Sequence, residues 1–117
     1  PQVLGRKKEN ITFFVIDSRA ISTQWYLYAY IDSPLISLDK KYTLEDSLIF
    51  ITDANEVKTL SKTPTLIYSG TPNEGNTKTT QITWNKTEGI LFQVINPLYN
   101  GETYTTDIKW LLTSEKL

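Results

Sequence analysis

Residues 104–112, Tyr-Thr-Thr-Asp-Ile-Lys-Trp-Leu-Leu, are patterned for one regular conformation. In an extended chain successive side chains alternate faces, so Tyr104, Thr106, Ile108, Trp110 and Leu112 share one face while Thr105, Asp107, Lys109 and Leu111 share the other. Residues 24–31 repeat the device with Trp25, Leu27, Ala29 and Ile31 opposed to Gln24, Tyr26, Tyr28 and Tyr30. Each stretch carries Trp-x-Leu on its apolar face. Half-apolar strands near both ends of a chain need each other's cover, which predicts that the two stretches meet, with Trp110 and Leu112 closing the fold against Trp25 and Leu27.

The remaining chain continues in the same style. Short runs rich in Ile, Val, Thr, Tyr, Phe and Trp alternate with clusters of Asp, Asn, Pro, Gly and Ser, the composition of strands and turns. Residues 10–16, Asn-Ile-Thr-Phe-Phe-Val-Ile, are apolar on both faces and read as a central strand covered on both sides, or as one that changes sheet. Pro34 ends the strand over residues 24–31, because proline has no N–H for the ladder. Residues 43–46 fit either a strand or a capping box that starts a helical turn, and strand is the better fit. Leu44, Ile49, Phe50 and Ile51 are expected in the core, with Leu66 and Tyr68 on one face of a later strand and Ile67 on the other. Residues 70–78 read as a mobile loop with little apolar surface to bury. Asn100-Gly101 is a hairpin signal, expected to pair residues 90–95 with the final strand.

About seven to nine strands with no helical period predict an all-β fold, an antiparallel immunoglobulin-like β-sandwich. A closed barrel is the alternative. The expected organisation is a tail over residues 1–9 and a single domain over residues 10–117.

Composition narrows the chemistry. Twelve basic and thirteen acidic residues give a net charge of −1, which argues against a partner held by phosphate neutralisation. The one basic cluster, Arg6-Lys7-Lys8, reads as a solvated tail. No apolar run reaches the roughly 20 residues that span a bilayer, and no signal peptide is visible. An opening without Met fits a processed product or an excised piece. With neither His nor Cys there is no imidazole base, thiol nucleophile, disulfide or thiolate metal site. Asp32, Asp39, Asp46, Asp53 and Glu56 are too dispersed for a calcium loop. Neither metal nor cofactor is expected, and among enzymatic devices only a carboxylate pair remains.

Val15-Ile16-Asp17-Ser18-Arg19, followed by Trp25-Tyr26-Leu27 and, at the far end, by residues 90–94 and Tyr104 through Leu112, resembles the WxL domain of Gram-positive surface proteins. In that family an x-V-x-D-x-R strand precedes the first Trp-x-Leu, and a Y-x-x-x-L-x-W-x-L strand closes the domain. The likeness covers residues 11–31 and 90–112 and is weak between them. The chain is shorter than most family domains, and Leu111 stands where a polar residue is usual. The resemblance implies a secreted, non-enzymatic domain that attaches its protein to the cell wall, with peptidoglycan or a membrane-anchored surface protein as partner.

Two surfaces are candidates for that role. Trp25, Leu27, Trp110 and Leu112 carry the family motif, but large apolar side chains in phase with a strand's apolar face are expected first in the core. Tyr26, Tyr28 and Tyr30 form a ladder able to stack on sugars, with Leu111 as a neighbour if the two strands pair; a second sheet covering the rings is the competing reading. Asp17 and Arg19, two apart on one face, are expected to form an ion pair that fixes the turn after the first strand. A spacer in an adhesin, lending an edge strand to a partner, is the alternative function. A host-protein binder or inhibitor using residues 70–78 is a third.

Overall fold

The computed structural model describes residues 2–4, 10–19, 23–71, 79–94 and 103–117, and the statements below concern these. All regular structure among them is β, and every strand pairing is antiparallel. The strands are β1 (Gln2–Leu4), β2 (Asn10–Ile16), β3 (Trp25–Ile31), β4 (Leu35–Ser37), β5 (Thr43–Leu44), β6 (Leu48–Ile51), β7 (Val57–Thr59), β8 (Thr65–Gly70), β9 (Thr79–Asn85), β10 (Gly89–Val94), β11 (Tyr104–Thr105) and β12 (Ile108–Thr113). Twelve strands exceed the expected seven to nine because several are only two or three residues long. They form four sheets, ordered β1-β10-β6-β7, β11-β4-β5, β12-β3-β8 and β2-β9.

One apolar cluster joins three of these sheets. Trp25, Leu27 and Ala29 from β3, Ile67 from β8, Phe50 from β6, Ile82 from β9 and Leu60 are its buried members, with Phe13, Val15, Trp84, Ile90 and Ile108 packed against them. Ile49 and Leu91 sit on the opposite faces of β6 and β10 and are also buried, so these two strands are covered on both sides. Thus Leu44, Ile49 and Phe50 are core as expected, whereas Ile51 is half-buried.

The two Trp-x-Leu strands pair directly, with Leu112 opposite Leu27, Trp110 opposite Ala29 and Ile108 opposite Ile31. The same ribbon turns a corner beyond this pairing. Past Pro34 on one strand and Asp107 on the other, β4 pairs with β11, and Thr106 Oγ1 donates to the Ser33 carbonyl at 2.9 Å. The stretch from Tyr104 to Leu112 is therefore two strands in two sheets rather than one. Proline's missing donor explains the break, since the ladder cannot cross it.

Several expectations are corrected. Residues 10–16 are not a strand covered on both sides: β2 pairs only with β9, with Phe14 and Ile16 exposed and Ile11, Phe13 and Val15 turned inward. The final strand does not pair with residues 90–95; β10 lies between β1 and β6, and β12 takes β3 because the apolar faces of those two strands match. Residues 96–101, which carry the Asn100-Gly101 signal, lie outside the described residues, as do Arg6-Lys7-Lys8 and residues 72–78. Gln2–Leu4, inside the segment expected as a tail, forms β1 along β10.

A bulge changes the facing of β8. Leu27 opposes Tyr68, yet Tyr28 opposes Leu66, so one extra residue, Ile67, is inserted. Such a bulge breaks the two-residue alternation. It sends Ile67 and Tyr68 both toward the core cluster and leaves Leu66 on the other face, against the expected pairing of Leu66 with Tyr68.

Candidate functional site

The aromatic residues of the Trp-x-Leu strands separate into structural and exposed groups. Trp25 is only 3% exposed, and its ring stacks on Tyr68 at 5.6 Å between centroids. Its cross-strand neighbour is Gly70, and the indole lies across that residue so closely that a Cβ there would fall inside the ring. Gly70 is thus a buried end of β8, not the start of a loop. Trp25 Nε1 has no hydrogen-bond partner among the described residues. The same device recurs at Gly89, whose φ of 78° suits glycine and whose missing Cβ makes room for the Trp84 ring.

Trp110 and Leu112 share the face of Ala29 and Leu27 but are 47% and 51% exposed. This corrects the expectation that they are core. Strand β12 is the outer strand of its sheet, so their outer flanks have no neighbouring strand. Trp110 does reach the facing layer, where its ring lies 5.6 Å from Phe13. An apolar cleft runs between β2 and β12, lined by Phe13, Val15, Leu27, Ile108 and Trp110 among others, with no charged side chain in its lining.

The tyrosine ladder is not an open row of rings. Tyr28 is 4% exposed because Leu111 and Leu66 flank it on the same face, one from each neighbouring strand. The Leu117 backbone N–H also donates to Tyr28 Oη at 2.8 Å, bringing the segment after β12 across this face. Tyr26 and Tyr30 are half-buried. Leu111 stands opposite Tyr28, as expected if the strands pair, and is itself half-buried.

Asp17 and Arg19 form the expected ion pair. Arg19 Nε and one terminal nitrogen donate to the two Asp17 carboxylate oxygens at 2.8 Å each, and the Arg19 backbone N–H donates to Oδ1 at 3.1 Å. The guanidinium also donates to the Thr23 hydroxyl at 2.9 Å and to its carbonyl at 2.6 Å. Hydrogen bonding to Asp17 raises the Arg19 pKa further above its ordinary value. The fork matches the carboxylate geometry in a way lysine cannot. Asp17 is buried, so this is a clamp between the end of β2 and the start of β3.

A second open site was not anticipated from the sequence. Beside the free edge of β9, a trough is lined by Tyr68 and Trp84 with Asp53, Glu56, Lys58 and Gln81. Its residues come from four separate segments, so no single stretch announces it. Tyr104, a motif residue, pairs with Ser37 on β4, in a different sheet from the two Trp-x-Leu strands. Among the described residues, no cluster of three acidic side chains has the geometry of a metal site. Comparisons with protein families, curated proteins and solved structures found no match.

Proposed function

We propose that this chain is a non-catalytic attachment domain of a Gram-positive cell surface, secreted and built as an immunoglobulin-like sandwich, and that it holds a surface partner protein. The observation that carries the reading is the half-exposed Trp110 and Leu112 beside the apolar β2–β12 cleft. Both residues belong to motifs that resemble the WxL family. Monomeric proteins rarely leave contiguous apolar surface open unless something binds it. The sandwich reading draws support from the cluster that joins β3 and β8 on one side to β2, β6 and β9 on the other. The absence of His and Cys from the sequence supports a non-catalytic role.

Peptidoglycan is the second reading, favoured by the trough beside β9, where two aromatic rings stand among carboxylates, an ammonium and an amide. Such a mixture suits a sugar polymer, which presents apolar ring faces and hydroxyls together. Co-sedimentation of the purified chain separates the two. Retention on intact Gram-positive cells, lost when surface proteins are stripped, is the expected result. Retention on protein-free sacculi transfers the role to peptidoglycan, and retention on neither refutes attachment.

A further inference from the structure

We propose that the β2–β12 cleft receives an extended segment of a partner protein, added as a further strand along the outer edge of β12. This deepens the attachment reading, on which its biological meaning rests, by naming what is held and how.

Three observations converge on a strand as the occupant. First, β12 pairs only with β3 and β2 only with β9, so each presents one side of its backbone without a ladder partner among the described residues. Unpaired N–H and C=O groups in a row are satisfied most fully by another strand, and a sugar polymer cannot supply that ladder. Second, the inward faces along these edges are apolar: Phe13 and Val15 on one side, Ile108 and Trp110 on the other, and Leu27 as floor. An edge that a protein keeps to itself is commonly blunted by charge, proline or a bulge. Here β2 carries none of these, and the single charge of β12, Lys109, lies on the face opposite Trp110. Third, the alternation of β12 fixes the chemistry of its partner. The inward position of the added strand that meets Trp110 has to be apolar, the one that meets Leu112 also nears the Asp17–Arg19 pair, and the outward position beside Lys109 suits an acidic side chain. Six residues in β12 set the length at about six residues, roughly 20 Å.

The test is selection of random nine-residue peptides displayed on phage against the folded full chain, followed by amide hydrogen exchange with the best synthetic peptide. The expected winners alternate apolar and polar residues, lack proline in the centre and favour Asp or Glu at one outward position. Their binding slows exchange across residues 108–113. Leu112→Lys, at a half-exposed site, weakens binding roughly ten-fold or more, whereas Val57→Lys on the distant β7 leaves it unchanged. The exchange measurement needs no variant, so it decides even if Leu112→Lys unfolds. Peptides without alternation, protection confined to other strands, no enrichment, or a dimer of the chain itself occupying this edge would each overturn the proposal. Selection uses no cells, so failure here leaves attachment through another face standing. Failure of the cell-binding experiment leaves the cleft result intact.

Discussion

Gly70→Ala should be among the most damaging small substitutions in the molecule. The new methyl would lie within the Trp25 indole, against Cε2, Cζ2 and Nε1, and these are ring atoms that cannot bend away. Gly70 is not in the left-handed region, so backbone strain adds nothing and the cost is purely steric. Either the strands separate or Trp25 turns out of its place. An indole buries about 200 Å², and at ~25 cal/mol per Å² its complete expulsion costs about 5 kcal/mol. Overpacking that the structure absorbs locally costs about 1–3 kcal/mol, so about 3 kcal/mol is expected. For a domain of this size that lowers the melting temperature by roughly 10–15 °C. The assay is thermal and urea unfolding of a double-mutant cycle with Trp25→Leu. Because the clash needs the indole, Gly70→Ala in the Trp25→Leu background should cost about 1 kcal/mol or less, leaving a coupling near 2 kcal/mol. Equal cost in both backgrounds, or a neutral Gly70→Ala, refutes the placement of Trp25 over Gly70.

Other outcomes follow from the same geometry. Arg19→Lys should lower the melting temperature although charge is kept, because the two-pronged contact with Asp17 is lost; thermal melting that matches the parent contradicts the clamp. Ile49→Ala, at a fully buried position, should cost about 2–5 kcal/mol by urea unfolding. Asp39 accepts from Ser37 Oγ at 2.7 Å and from the Lys41 N–H at 3.0 Å, and these bonds, the Ser37 one foremost, lower its pKa. The folded carboxyl thus gives up its proton more readily than the unfolded one. Its stabilisation is present above the unfolded value of about 3.9 and is lost as pH falls through the folded midpoint. NMR titration should place that midpoint below the ordinary value and move it upward in Ser37→Ala.

What the sequence made legible is the local pattern, and what it hid is pairing. Alternation placed Trp25 and Leu27 on one face and Tyr26, Tyr28 and Tyr30 on the other, and predicted that the two Trp-x-Leu strands meet. Exposure did not follow, because it depends on which strand is outermost. Trp110 has the same alternation as Trp25 but sits on a sheet edge, while Tyr28, on the polar-looking face, is buried by Leu66 and Leu111 from its two neighbours. The bulge at Ile67 was invisible because nothing in Leu-Ile-Tyr signals an inserted residue. Gly70 looked like loop punctuation, and its role as a seat for Trp25 required a partner 45 residues earlier in the chain. The cleft is hidden in the sequence for the same reason, being formed by β2 and β12 from opposite ends of the chain.

The most direct measurement of the central claim is retention of the purified chain on intact Gram-positive cells, wild type against Leu112→Lys, with both proteins matched for melting temperature. Docking along β12 requires that the wild type is retained and that the variant stays in solution. Equal retention of the two, or no retention of the wild type, contradicts it.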